Sequence, residues 1–352
     1  MRCKDWYRKI LYLFFRAIRY FFRGLVHLFP PGVFCFVSRP LLKLFIFMAI
    51  PRKRIVRNLT AAFGKCYPDV TKDRFARGVQ EHIRENLHDC LLQFADSEYA
   101  RRSISLTVFE HLKSGQKKGK GAMALGAHIG NFVLLGTRIG LEGHVFPAVF
   151  RVLPDRATQR VIKRYLSHYH QSVIPSLTKR LAVKTILEAL RRNEIGHILG
   201  DNLKDGRIDA LLFGHRVFCS RGLVRLALRL GAPLIPMHLV RNYYGRMQLV
   251  IEPPIEITPT GHLATDIAQN TRRVVCYLET LIRRYPDQWN WLTLRLTKNN
   301  YTDLQEPFPR EPSRKNTIVA IQEGRNASTH DQIPKDWNRY PVCHFRRTPL
   351  LT

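Results

Sequence analysis

The chain has 352 residues, which is room for one to three domains with buried cores. Its 57 Lys and Arg outnumber its 27 Asp and Glu and give a formal net charge of +30. This excess favours an anionic partner, and its spread along the chain favours a membrane surface or an acidic carrier protein. Nucleic acid is the least favoured partner, because the chain has no zinc-finger spacing and no RNA-recognition motif.

The cysteines are odd in number, scattered and never in a Cys-x-x-Cys pair, which favours a reducing compartment over a disulfide framework or structural zinc. The histidines also lack metal-ligand spacing, so no metal is predicted. No G-x-S-x-G elbow or P-loop is present, which excludes serine hydrolases of that type and nucleoside triphosphatases. The seven cysteines are Cys3, Cys35, Cys66, Cys90, Cys219, Cys276 and Cys343.

Residues 1–50 are predicted to form an amphipathic helical segment associated with a membrane. Arg16, Arg19 and Arg23 recur at helical spacing among aromatic and aliphatic residues, as in a helix lying in the headgroup region. A spanning helix is the alternative. The longest uninterrupted apolar run nearby, Leu44 to Ile50, is much shorter than the roughly 18 to 20 residues that a crossing needs.

Residues 51–298 are predicted to form one α/β domain with a central mixed sheet flanked by helices. Residues 51–59 form a basic link, and a helix is predicted from Thr71, where apolar residues recur at threes and fours. Apolar strands then alternate with helical patterns, which is typical of a helix-covered sheet. The predicted strands are 122–126, 145–150, 195–199, 234–240 and 247–251, and the later helices are 155–169, 181–192, 222–230 and 265–285.

Residues 299–352 are predicted to be a poorly ordered tail, because repeated prolines interrupt a polar segment with little periodicity. A docked tail is the alternative, given the aromatic residues Trp337, Tyr340 and Phe345.

One histidine stands out as a candidate for chemistry. His128 follows the apolar run 122–126 and precedes Gly130 and Asn131, so it is expected just beyond the end of a buried strand. Active sites of α/β sheets commonly lie at such ends. An imidazole titrates near neutral pH and suits a general base, although an isolated histidine is more often structural.

Six segments in order resemble the bacterial lipid A biosynthesis acyltransferases, the late acyltransferases of the lysophospholipid acyltransferase-like superfamily. The resemblance covers about residues 50–296. The segments are Arg57–Leu59 with Tyr67-Pro68, His128–Phe132, Val149–Arg151, Gly200–Asn202, Phe213–Pro236 and Tyr285–Leu292.

The resemblance implies transfer of a fatty acyl chain to a hydroxyl of a lipid A precursor or related glycolipid. The donor would be a thioester on an acidic acyl carrier protein, with no further cofactor. The implied location is the cytoplasmic face of the bacterial inner membrane. His128 would act as the general base that takes the proton from the attacking hydroxyl.

The chain departs from the family pattern at Val133. The family places Asp or Glu five positions after the histidine, where it orients and stabilises the imidazole. Valine does neither, which leaves three explanations open. Glu142 or an acid from a distant segment replaces the missing group, His128 works unaided and slowly, or the protein binds acyl lipid or carrier without turnover.

Gly130, Asn131 and Arg151 are candidate substrate-binding residues. Glycine permits close backbone approach, and the Asn131 amide would bind substrate or brace its loop; an Asx turn is the structural alternative. Arg151, at a predicted strand end, would pair with a phosphate or the carrier's prosthetic arm, or be an ordinary surface cation.

Asp201, Ser220 and Gly222 complete the candidates. Asp201 would orient Arg151 or another site residue, or simply cap a turn. Ser220 and Gly222 precede a predicted helix whose N-terminal amides would receive an anion or oxyanion. Plain capping is the structural alternative for both.

Overall fold

The computed structural model describes residues 31–292, except 65, 107–108, 118, 151–162, 176–178, 204–205 and 243. The predictions for residues 1–30, for Arg151 and for the 299–352 tail therefore lie outside the described residues. The division of the chain into segments 1–50, 51–298 and 299–352 stays a prediction.

The described helices surround a sheet and differ widely in length. One short helical stretch, 163–168, is given no label. The others are α1 (Pro31–Ala49), α2 (Arg52–Phe63), α3 (Asp69–Ala95), α4 (Tyr99–Ser103), α5 (Glu110–Gln116), α6 (Phe132–Leu141), α7 (Lys179–Arg191), α8 (Gly222–Leu230) and α9 (Leu263–Arg284).

Seven strands form the main sheet in the order β1-β9-β8-β2-β5-β3-β4, and β6 pairs with β7 in a separate hairpin. Strands β8, β2, β5, β3 and β4 are parallel, whereas β8 and β9 are antiparallel. The strands are β1 (Ile104–Leu106), β2 (Ala122–Gly126), β3 (Phe146–Phe150), β4 (Gln171–Pro175), β5 (Ile195–Leu199), β6 (Ile208–Leu212), β7 (His215–Cys219), β8 (Leu234–Arg241) and β9 (Met247–Ile251).

Strand β2 lies at the centre of the sheet and is buried along its whole length. Met123 and Leu125 pack into one core layer, and Ala122 and Ala124 pack into the other. Burial on both faces explains why the strand is a continuous apolar run rather than an alternating one. The predicted fold class, an α/β domain with a central mixed sheet flanked by helices, is confirmed.

The sequence analysis missed several elements, among them the edge strands β1 and β4. The basic link is a helix, α2, whose Ile55 and Leu59 are buried against the core. The short β6–β7 hairpin lies within 208–219, where no strand was predicted, and it packs on α9. By contrast, α8 ends as predicted at Gly231, whose φ of 61° is left-handed.

Helix α1 packs along α3 and leaves an apolar face exposed. Phe36 is 83% exposed and Phe47 76% exposed, and Arg39 and Lys43 are exposed beside them. None of the helices in the described part of the chain is both long and apolar enough to cross a membrane.

Candidate active site

The candidate site lies where the parallel strands β2 and β5 end side by side. Gly126 of β2 is in register with Leu199 of β5, and the Gly200 N–H donates to the Gly126 carbonyl at 2.8 Å. His128 comes two residues after β2, and Asp201 comes two residues after β5. Because the carboxyl ends of neighbouring parallel strands share one edge of the sheet, the two side chains meet there.

His128 and Asp201 form a hydrogen-bonded pair. Asp201 Oδ1 lies 2.8 Å from His128 Nδ1, and Asp201 Oδ2 accepts the main-chain N–H of His128 at 2.8 Å. The Asp201 side chain is fully buried, whereas 28% of the His128 side chain is exposed. With Nδ1 donating to the carboxylate, Nε2 carries the lone pair, as in the imidazole of a Ser-His-Asp site.

The pair favours the charged forms of both residues. Burial lowers the pKa of His128, but the hydrogen bond and the charge of Asp201 outweigh it and raise the pKa above its ordinary value. Burial raises the pKa of Asp201, but hydrogen bonds from His128 and Trp289 outweigh it and lower the pKa. Asp201 is therefore an ionised, buried partner of a histidine with increased basicity.

The segment 286–292, which follows α9, braces both members of the pair. The Trp289 indole N–H donates to Asp201 Oδ2 at 2.9 Å. The Asn290 N–H donates to the His128 carbonyl at 2.9 Å, and the Gly130 N–H donates to the Gln288 carbonyl at 3.0 Å. One segment thus holds the loop after β2 through main-chain hydrogen bonds and holds Asp201 through the Trp289 side chain.

Gly130 and Asn131 shape the same loop. Gly130 has φ +58°, and a Cβ there would lie 1.7 Å from the Leu239 carbonyl oxygen. The Asn131 side chain accepts the Leu134 N–H at 3.3 Å, capping α6, and donates to Asp89 at 3.2 Å. The Asn131 amide is occupied by these contacts, so its observed role is to brace the loop.

The Asp89 carboxylate lies below the loop in a buried polar network. It forms an ion pair with Arg241 and accepts the Tyr99 hydroxyl at 2.8 Å. Glu85, His88 and Asp89 each offer one ligand atom within 4.8 Å of the others, which is a possible metal-ligand geometry. Asp89 is already engaged by Arg241 and Asn131, however, and we assign no metal to this group.

An apolar pocket of about 230 Å³ opens beside His128. It lies between α3, the loop after β2 and the segment 286–292. Its size suits only part of a larger ligand, and its apolar lining suits a flexible apolar chain. Its apolar walls come from Ile50, Val79, Ile83, Leu87, Phe132, Val133, Trp289 and Leu292.

Residues 4–298 match the family model described as bacterial lipid A biosynthesis acyltransferase. The chain belongs to this family. Among individually curated proteins none matches the chain. Membership indicates an acyltransferase of lipid A biosynthesis, and the His128 loop is where the family resemblance placed the acyl-transfer histidine.

Within this acyltransferase, Val133 lies in the first turn of α6, where it is 37% exposed and lines the pocket. Glu142, the replacement acid named from sequence, lies at the C-terminal cap of α6 and forms an ion pair with Arg138 in the last turn of that helix. The acid that contacts the histidine is Asp201. Of the three sequence-based explanations, an acid from a distant segment fits the observed geometry.

Ser220 and Gly222 are not among the residues that line the pocket of the acyltransferase. The exposed Ser220 hydroxyl accepts the Gly222 N–H at 3.3 Å, which is a local contact at the start of α8. Arg151 lies outside the described residues, so the predicted contact between Asp201 and Arg151 stays a prediction.

Several residues at the site were missed by the sequence analysis. Trp289 was noticed only as part of the Tyr285–Leu292 segment. His82 lines the pocket, and burial lowers its pKa to about 4. His197 on β5 is buried against Phe146, and burial followed by the charge of His128 lowers its pKa to about 4. Both imidazoles are therefore neutral at physiological pH.

Proposed function

We propose that the protein transfers a fatty acyl chain from the thioester of an acyl carrier protein to a hydroxyl of a lipid A precursor or related glycolipid. The contact between His128 and Asp201 at an apolar pocket carries this proposal. A base oriented by a buried carboxylate suits deprotonation of a hydroxyl, and an apolar wall suits an acyl chain.

In the proposed reaction, His128 Nε2 removes the proton from the acceptor hydroxyl as the oxygen attacks the thioester carbonyl carbon. The ionised Asp201 stabilises the imidazolium that forms. The tetrahedral intermediate then collapses, a new ester C–O bond replaces the C–S bond, and the thiolate leaves. The imidazolium returns its proton to the thiolate, so that His128 ends neutral and no cofactor is consumed.

Charge supports the proposed donor and acceptor. A protein of net charge +30 attracts acidic carrier proteins and anionic glycolipids through long-range fields that salt weakens. The exposed apolar residues of α1, beside Arg39 and Lys43, suit an anionic membrane surface. We accordingly propose that the protein acts at the cytoplasmic face of the bacterial inner membrane.

The membrane proposal is tested with vesicles that contain anionic phospholipid. The double substitution Phe36→Glu and Phe47→Glu changes side chains that contribute little to the core, because 83% and 76% of them are exposed. We expect weaker co-sedimentation of this variant with the vesicles than of the wild type. The matched control is Tyr244→Glu, which changes an exposed aromatic residue far along the chain, 74% exposed. Equal sedimentation of all three proteins would refute the role of α1.

The acyl-transfer proposal is tested with purified protein, acyl-loaded carrier protein and a lipid A precursor. We expect transfer by the wild type, loss of transfer in His128→Ala, and normal transfer in His262→Ala, which removes an exposed histidine. Absence of transfer by the wild type, with intact binding of acyl carrier or lipid, would support the alternative of a binding protein without turnover. Equal transfer by His128→Ala would refute the role of His128.

A further inference from the structure

We infer that Trp289 is a positioning residue whose indole N–H fixes the Asp201 carboxylate in the orientation that holds His128. The indole nitrogen lies 2.9 Å from Asp201 Oδ2. The consequence of this contact for catalysis rests on the proposed acyl transfer. The effect of the contact on the pKa of His128 can be measured without turnover.

The Asp201 carboxylate is fixed through both of its oxygens. Oδ2 accepts two N–H groups, from the His128 main chain at 2.8 Å and from Trp289 at 2.9 Å. These contacts leave Oδ1 directed at His128 Nδ1, 2.8 Å away. Removing the indole donor leaves Oδ2 with one N–H partner instead of two in a fully buried place, where the loss of a hydrogen bond to a charged oxygen is costly. The carboxylate then loses one of the contacts that set its plane.

Trp289 is itself held rigidly. Its ring packs edge-to-face against Trp291, with ring centroids 4.8 Å apart, and its main chain forms a β-bridge with Ile129. The next residue, Asn290, donates to the His128 carbonyl. One short segment therefore sets both the acid and the loop that carries the base. A donor on so rigid a support contributes orientation as well as charge stabilisation.

The charged and titratable groups around His128 determine the direction of the expected change. Asp201 faces its Nδ1, His197 lies on the neighbouring strand, and His82, Cys90 and Asp287 lie in the wall of the shared pocket. Burial lowers the pKa of His128, and Asp201 is what raises it. A looser Asp201 therefore lets burial dominate, and the pKa of His128 falls.

The experiment compares the wild-type protein with Trp289→Phe and Trp291→Phe. Trp291 is the matched control, because it is equally buried and donates its indole N–H at 2.6 Å to the Pro286 carbonyl rather than to Asp201. The pKa of His128 is measured from the pH dependence of deuterium exchange at its imidazole C2 position, resolved by peptide mass spectrometry. Replacement of Trp289 by 3-benzothienylalanine serves as a second variant, since sulfur replaces the N–H at nearly constant ring size.

We expect both changes at position 289 to lower the pKa of His128 by about half a unit or more. The free energy of this shift is a part of the free energy that one hydrogen bond to a charged group contributes. Trp291→Phe keeps an aromatic ring beside Trp289 and removes only the N–H that Pro286 accepts, so it should change that pKa much less than either variant at position 289 while lowering thermal stability. In an active enzyme, kcat should fall in the position-289 variants with little change in KM.

An unchanged pKa of His128 in the benzothienylalanine protein would overturn the inference, even if Trp289→Phe fails to fold. Absence of transfer by the wild type would overturn the proposed function. The pKa of His128 would still test the role of Trp289, because it is measured without turnover.

Discussion

Asp201 and His128 are 73 residues apart in the sequence and are joined by two contacts of 2.8 Å, one to the imidazole and one to the main chain. The double contact fixes both the ring and the loop that carries it. The acid that contacts the histidine comes from the segment after β5 and not from α6, the helix that follows the histidine. The side chain at position 133 is thereby free to form part of the pocket.

Loss of the Asp201 charge should disable His128 in its proposed role as general base. In Asp201→Asn we expect kcat to fall by roughly 10³-fold to 10⁴-fold, because the amide neither stabilises the imidazolium nor selects the correct tautomer. The rate of acyl transfer at saturating substrate measures the effect. Glu142→Gln is the control, since Glu142 pairs with Arg138, and it should retain near-normal activity. A large loss in Glu142→Gln with little loss in Asp201→Asn would reverse the assignment of the acid.

The pH dependence of activity should follow the raised pKa of His128. A general base must be neutral, so kcat/KM increases as pH rises through the pKa of the free enzyme's histidine. Because Asp201 raises this pKa, the acidic midpoint should lie above the ordinary value of about 6.5. In Asp201→Asn burial alone acts, and the midpoint should move to lower pH. A midpoint that is the same in both proteins would show that another group controls the profile.

Much of the fold could be predicted because its signals are local. The apolar run 122–126 and the stop at Gly231 identified β2 and the end of α8 from neighbouring residues alone. The pairing of His128 with Asp201 could not be predicted in this way. Both residues were recognised as candidates beyond strand ends, but their contact depends on β2 and β5 being neighbours in the sheet, and strand order is a long-range property.

Other misses have similar physical reasons. Residues 51–59 were predicted to be a basic link because the residues of α2 that face solvent are cationic. The helix is stabilised by the burial of Ile55 and Leu59 in the core, which is a long-range contact that neighbouring residues do not reveal. Trp289 gave no signal of its own, since a buried tryptophan is usually part of a core. Only the position of its indole N–H, 2.9 Å from Asp201, indicates a role at the site.

An acid restored at position 133 should not improve the enzyme. His128 is already hydrogen-bonded to Asp201, and Val133 lines an apolar pocket. We expect kcat/KM of Val133→Glu to fall about tenfold, equivalent to roughly 1.4 kcal/mol of transition-state stabilisation, because a carboxylate there disfavours an acyl chain. Val133→Ile should remain close to the wild type, and Val133→Gln should show the part of the loss due to polarity without charge. A gain of activity in Val133→Glu would mean that Asp201 only partly replaces the missing acid.

Substitution of Gly130 should break the loop that carries His128. An alanine at φ +58° adopts a left-handed conformation that costs about 1–3 kcal/mol, and its Cβ would lie 1.7 Å from the Leu239 carbonyl oxygen. Gly119→Ala is the matched control, because Gly119 has φ +67° and a Cβ there meets no atom within 4 Å. The difference between the two variants therefore isolates the steric clash from the backbone strain. We expect the free energy of unfolding, measured by urea denaturation, to fall about 1–3 kcal/mol further in Gly130→Ala than in Gly119→Ala, with acyl transfer lost only in the former. Equal stability and equal activity of the two variants would show that the loop after β2 can move away from Leu239 without disturbing His128.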